Sequence, residues 1–154
     1  MHENLTIFTD LSMDATCNAA GIGIWMRGSD FKHSYGITLT IPLSGSAEGE
    51  TIGAVMGLAA AVQNAAIQKC TQVIFVLDNQ HAVDLINGDI IATRDWEIDA
   101  ITTIKAIVDY YGVVYRANKI KAHAGTSTPR NWVNDHVDRI AKKHMRIARN
   151  NARK

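Results

Sequence analysis

The sequence predicts an α/β fold, a mixed sheet with helices on its faces, and three patterns carry that reading. Phe31, His33, Tyr35, Ile37, Leu39 and Ile41 alternate with polar or small residues, the period of a half-buried antiparallel strand. Val73-Ile74-Phe75-Val76-Leu77 is a continuous apolar run, as a strand covered on both faces requires. Ile52, Val55, Met56, Ala59, Val62 and Ala66 instead follow helical spacing.

Taken in order, Leu5 through Asp10 forms the first strand, and Met13-Asp14-Ala15-Thr16-Cys17-Asn18 turns into a second over residues 21–27. Gly28-Ser29-Asp30 supplies the next turn, and Pro42 with Ser44-Gly45-Ser46 ends the third strand. From Glu48 the helical period holds through Gln68, and the apolar run at 73–77 is the fourth strand. A short helix spans His81 to Ile86 and stops at Asn87-Gly88. Another runs from Trp96 to Tyr111, with Glu97, Ile101, Ile104, Val108 and Tyr111 on one face and Gly112 at its end. Residues 113–122 read as the fifth strand, and 123–130 as a loop containing Pro129. The last helix buries Val133, Val137, Ile140, His144 or Met145, and Ile147. Strands one to three form an antiparallel meander, and strand four, reached by a helical crossover, lies parallel to strand one. No repeat or linker interrupts the chain, so residues 1–154 read as a single domain.

Composition narrows the function classes. A net charge of +1 excludes a uniformly polybasic nucleic-acid binder. The tail is different: Arg139, Lys142, Lys143, Arg146, Arg149, Arg153 and Lys154 form a stripe without an acid, suited to phosphate contact or to the dipole at a helix C-terminus. Cys17 and Cys70 form no metal-ligand pattern and indicate burial or a reducing compartment. The N-terminus has no signal-peptide pattern, and the most apolar run, 52–62, falls short of the about 20 residues a membrane span needs. The expectation is a cytoplasmic protein with no membrane partner.

Four acids then stand out. Asp10 and Asp78 close strands one and four, Glu50 opens the first long helix, and Asp138 lies one turn into the last helix, behind a loop carrying His123. A strand end lets a side chain leave the core without losing backbone partners, and parallel neighbours would bring Asp10 and Asp78 side by side. Singly, a strand-end Asp is a turn residue, a helix-start Glu serves the dipole, and a loop His is surface. Together they are different, because like charges repel and desolvation is costly unless a cation compensates. Oxygen ligands of this kind suit magnesium or manganese.

These residues resemble the ribonuclease H type 1 family and the ribonuclease H domains of retroviral reverse transcriptases. Leu5-Thr6-Ile7-Phe8-Thr9-Asp10-Leu11-Ser12 is similar to the family's first strand, and Ala47-Glu48-Gly49-Glu50 through Leu58 to its acid-bearing helix. Val76-Leu77-Asp78-Asn79-Gln80-His81-Ala82-Val83 is similar to the Thr-Asp-Ser-Gln-Tyr-Val motif. Ile120-Lys121-Ala122-His123-Ala124-Gly125, then Asn134 through Ala141, resembles the His-Ala-Gly loop and the Asn-x-x-x-Asp-x-Leu-Ala helix. The family's spacing to an apolar residue eight positions on selects Glu50, with Leu58, over Glu48; Asn134-x-x-x-Asp138 selects Asp138 over Asp135, which reads as exposed.

The resemblance implies a five-stranded ribonuclease H-like sheet, strands four and five parallel to strand one, and an endoribonuclease that hydrolyses the RNA of RNA/DNA hybrids. It implies two magnesium ions, with manganese as a substitute, about 3.5–4 Å apart. Asp10 would bridge them, with Asp78 and Glu50 on one side and Asp138 on the other, leaving 5′-phosphate and 3′-hydroxyl ends. Glu50 would also lie near the RNA 2′-hydroxyl. His123 would assist proton transfer or product release. Ser12, Asn18, Asn79 and Gln80 are candidates for hybrid contact or for capping backbone groups. Hybrid specificity would rest on shape and the 2′-hydroxyl. Trp25, Trp96 and Trp132 read as core or core-edge residues in preference to base-stacking platforms. A monomer without an obligate protein partner is expected.

The chain departs from the family at Leu11, which replaces a glycine, and at Ser46-Ala47, where relatives have Asn-Asn. Thr126-Ser127-Thr128 lengthens the His123 loop, and no basic helix-loop insertion precedes Trp96. The alternatives are a catalytically weak nucleic-acid-binding module and another metal-dependent nuclease on the same fold, such as a junction resolvase.

Overall fold

The computed structural model describes residues 3–120 and 129–152. Its elements are β1 (Asn4–Asp14), β2 (Ala19–Arg27), β3 (Lys32–Leu39), α1 (Ser46–Gln63), β4 (Gln72–Leu77), α2 (Gln80–Asn87), α3 (Asp95–Tyr111), β5 (Val114–Lys119) and α4 (Pro129–Ala152), with a 3₁₀ turn at Ala66–Lys69. The sheet order is β3-β2-β1-β4-β5. β1 pairs antiparallel with β2 and parallel with β4; β2–β3 is antiparallel and β4–β5 parallel. The mixed sheet read from the sequence is the one observed.

Alternation along the strands assigns each residue to one of two layers. Ile7, Ile22, Ile24, Phe75 and Leu77 face α1 and α3 and pack with Ala54, Leu58, Ile104 and Val108. Phe8, Ile74 and Val76 face the other way and meet Val137 and Val133 of α4. β4 is buried along nearly its whole length because it has a strand on each side and a helix layer on each face. No helix among the described residues is long and apolar enough to cross a membrane.

The α4 layer rests on glycines. A Cβ on Gly23 would stand 2.0 Å from the Val137 carbonyl oxygen, and one on Gly21 2.1 Å from that of Ala141. On β3, a Cβ at Gly36 would fall 2.0 Å from the His144 ring. Helix backbone therefore lies directly on strand backbone, and His144 Nδ1 reaches Thr38 Oγ1 at 2.9 Å. This close seat explains which α4 residues are buried: Asn134, Val137, Ala141 and Ala148 lie against the sheet, whereas Ile147, expected in the core, is 39% exposed. Asp135, expected to be exposed, is half-buried. Arg149 Nε donates to Asp14 Oδ2 at 2.8 Å, so part of the basic stripe serves to pin the helix.

Several boundaries differ from the sequence reading. β1 continues past Asp10 to Asp14, because β2 supplies hairpin partners up to Ala19. α4 begins at Pro129, whose fixed φ suits the first helical turn, which places Asp138 about two and a half turns in, where one turn was expected. The first helix stops at Gln63, short of Gln68: Asn64 Oδ1 accepts from the Ala66 N–H, and Ala65 turns left-handed at φ 63°. β3 is shorter than the alternating run, ending at Leu39 before Pro42. The last two residues of the expected fifth strand, 121 and 122, lie outside the described residues.

Gly23→Ala should destabilise the fold by about 3 kcal/mol, since neither backbone can yield cheaply; a denaturant titration reads this. Ala65→Gly should instead stabilise by about 0.5–1 kcal/mol, because relief of left-handed strain exceeds the added chain entropy, seen as a higher melting temperature.

Candidate active site

Asp10 lies on β1 two residues beyond its last pairing with β4, Phe8↔Val76, and so projects where the two strands begin to part. Its alternation places it on the α4 side, opposite Gly23, whose missing side chain admits the helix turn that carries Asp138. Asp78 is the first residue after β4 and is exposed. Glu50 enters from the other layer, in the first turns of α1, and is 5% exposed.

The electrostatics tie the four together. Burial pushes the Asp10 carboxyl up to about 7, helped by a hydrogen bond with Asp138, by that residue's charge and by Asp78. The Leu11 N–H, donating to Asp10 Oδ1 at 3.0 Å, pulls the other way. Burial also raises Glu50 to about 8, with the Asp10 and Asp78 charges adding and the Asp78 backbone N–H opposing. Asp10 is therefore the hub, with Asp138 on one side and Glu50 and Asp78 on the other. These are the four acids that sequence reasoning singled out, and in the fold Asp138 and Asp78 act on Asp10 while Asp10 and Asp78 act on Glu50.

The donor set fits a divalent cation chemically. All four ligand candidates are carboxylates, and Glu50 Oε2 is buried without a hydrogen-bond partner. The ring is open: among the described residues, no three His, Cys, Asp or Glu side chains already stand close enough to enclose a metal ion. Asp138 Oδ2 pairs with Lys142 Nζ at 2.9 Å. That pairing was legible as an i,i+4 spacing but had no place in the sequence reading.

The neighbouring residues position the acids. Asn79 caps α2 by accepting from the Ala82 N–H at 2.9 Å, and its Nδ2 donates to Ser46 Oγ at 3.2 Å. The chain segment holding Asp78 is thereby fastened to the start of the helix that carries Glu50. Gln80 Nε2 donates to Asp84 on its own helix at 2.8 Å. Both were candidates for substrate contact, and both make structural bonds. Ser12 is half-buried on the Asp10 side of β1. Asn18 sits exposed at the β1–β2 turn with φ 51°, well along the hairpin from the acids. His123 lies outside the described residues.

Two features escaped the sequence reading. Leu11 turns toward α1 and fills the place of a Gly49 side chain, whose Cβ would be 2.5 Å from Leu11 Cδ2. The leucine beside Asp10 is thus matched by a glycine beside Glu50, and its side chain points away from the Asp10 face. His81 Nε2 bonds Glu97 Oε2 at 2.6 Å, joining α2 to α3. Glu97 is held at about 2, chiefly by the Arg94 N–H and then by His81.

No protein-family model matches this chain, and no curated protein matches it. Solved structures do. The N-terminal RNase H domain of rv2228c from Mycobacterium tuberculosis is 16% identical with a TM-score of 0.70, over 97% of this chain and 98% of that one. LC11-RNase H1, isolated from compost and solved in complex with RNA/DNA hybrid, is 15% identical with a TM-score of 0.69, over 94% and 98%. RNase H1 from the archaeon Halobacterium salinarum is 11% identical with a TM-score of 0.66, over 92% and 97%. At these identities the likeness is one of fold, and the chain has the ribonuclease H-like fold.

The raised acids set a pH dependence. Between about pH 4 and pH 8 the folded, metal-free protein holds protons on Asp10 and Glu50 that the unfolded chain has released, so stability falls as pH rises through that window. Glu97 and Asp14, both depressed to about 2, act only in the more acid range. Metal-free melting temperature should therefore drop from pH 5 to pH 8. Asp10→Asn should flatten the drop and stabilise at pH 8 by about 1 kcal/mol or more. Magnesium should raise the wild-type melting temperature at pH 8 and hardly at pH 5.

Proposed function

We propose that this chain is a metal-dependent endoribonuclease that hydrolyses the RNA strand of RNA/DNA hybrids. The observation that carries the reading is that Asp10 and Glu50 are raised far above their ordinary range by burial and then by neighbouring acids, Asp138 and Asp78 acting on Asp10, and Asp10 and Asp78 on Glu50. Such an arrangement weakens a metal-free protein and becomes favourable only with cations. The fold shared with an RNase H1 solved on RNA/DNA hybrid supports the substrate class.

Asp10, Glu50, Asp78 and Asp138 would hold two magnesium ions, which supply an activated water and charge neutralisation at the scissile phosphate. Asp10, between the other three, is suited to bridging. Release of Asp138 from Lys142 would free its carboxylate for a metal ion. Glu50, approaching from the α1 layer, is placed to meet the RNA 2′-hydroxyl. His123 would carry the proton to the leaving 3′-oxygen, giving 5′-phosphate and 3′-hydroxyl ends.

A labelled RNA strand in a hybrid should be cut with magnesium or manganese. Asp10→Asn, Glu50→Gln and Asp78→Asn should each lower the rate by at least about 100-fold without unfolding the protein, as loss of several kcal/mol of charge stabilisation requires. Well-folded wild type that binds hybrid but cuts it with neither metal would establish the binding-module alternative. Preference for a four-way junction would establish the resolvase-like one.

A further inference from the structure

The basic stripe of α4 divides once the helix is seated on the sheet. Arg149, in the last turn, pairs with Asp14, and Lys142 pairs with Asp138. Arg139, Lys143 and Arg146 are left, and among the described residues no ion pair holds them. They stand at i, i+4 and i+7 on the side of α4 opposite the buried Val137, Ala141 and Ala148, and all three are exposed, as is Lys142. Neighbours at these spacings lie about 5–6 Å apart between Cβ atoms, so the four cations form one unbroken surface on a single helix face. α4 packs on β1, β2 and β3 through its other side.

Local helix chemistry does not account for this face. The dipole acts within the last turn, whose one cation is Arg149, whereas Arg139, Lys142 and Lys143 lie at least about two and a half turns before Ala152. Pairing along the helix fails as well. Arg139–Lys142, Arg139–Lys143, Lys142–Arg146 and Lys143–Arg146 are all like-charge neighbours, a spacing that works against the helix. The two acids of α4, Asp135 and Asp138, both precede the stripe. A self-repelling face turned to solvent is stabilised by a polyanion laid along it.

The position of the stripe says which polyanion. It starts beside Asp138, at the acids, and runs along α4 toward Arg149 and Asp14 at the end of the β1–β2 hairpin. From Arg139 to Arg146 it is about 10.5 Å long. Phosphates along one strand of a duplex recur about every 3.4 Å of axis, so the stripe spans about three phosphate steps. We propose that the outer face of α4 binds the phosphate backbone of a nucleic-acid duplex leaving the acids, through Arg139, Lys143 and Arg146. Identifying that duplex as an RNA/DNA hybrid rests on the ribonuclease reading; the binding itself uses none of the four acids.

Anisotropy of a fluorescein-labelled RNA/DNA hybrid with the full chain in EDTA, across a salt series, tests this. Replacing Arg139, Lys143 and Arg146 together by glutamine, a good helix former, should weaken binding at least about tenfold and flatten the log–log salt slope by about 2–3. Each single replacement should flatten it by about 0.9. The melting temperature of the triple variant should equal or exceed that of the wild type, because like-charge pairs are removed. Replacing the exposed Arg27, Lys32 and Arg116 by glutamine removes the same charge elsewhere and should change affinity less than about twofold. Equal losses in the two triple variants, or an unchanged slope in the α4 variant, would overturn the proposal. So would polyglutamate displacing the labelled hybrid as well as unlabelled hybrid does, which would mark an acidic protein surface as the occupant. With magnesium, hybrid held on this face but never cut would overturn the ribonuclease reading and leave the phosphate track standing.

Discussion

Backbone contact between β2 and α4, across Gly21 and Gly23, sets the distance at which Asp138 can face Asp10. A side chain at either glycine would lift the helix by the width of a methyl group and separate the two carboxylates. The same seat obliges α4 to present small residues, so Ala141 and Ala148 are buried while the larger Ile147 is displaced toward solvent. Arg149, paired with Asp14, anchors the far end of the helix and holds the seat along its length. Packing here serves position more than burial, because two glycines and two alanines contribute little apolar area.

The acids load this frame with energy of the opposite sign. Asp10 and Glu50 are kept from their ordinary ionisation by burial and then by the acids beside them, a cost the hydrophobic layers on both faces must offset. The apolar contacts of β1 and β4 lie immediately behind the acids, and Asn79 joins the two chain segments from which Asp78 and Glu50 project. Strong scaffolding therefore surrounds the least favourable charges in the molecule. That juxtaposition is what a site preorganised for cations demands.

The β5 edge of the sheet is occupied by a side chain. On β5 the Asn87 amide donates to the Ala117 carbonyl at 2.9 Å and accepts from its N–H at 2.7 Å, occupying the positions a sixth strand would take. An edge closed in this way resists pairing with another chain.

Much of this was legible in the sequence because its signals were local. Period-two alternation from Phe31, the apolar run at 73–77 and the helical spacing after Glu48 each reflect a backbone period that a window of residues records. The four acids were legible for a related reason: each stands at an element terminus or in a motif of fixed spacing, and parallel pairing of β1 with β4 follows from connection rules. Other features depended on residues distant in sequence. Nothing near Leu11 announces that Gly49 will receive its side chain, and nothing near Arg27 announces that Lys32 and Arg116 will join its row. The length of β1 beyond Asp10 was decided by β2, and the burial pattern of α4 by glycines on two other strands. Local periodicity determined which elements form and which acids matter; only tertiary contact decided how near those acids come and which side chains share a row, because distances across a sheet are set by partners that no local window contains.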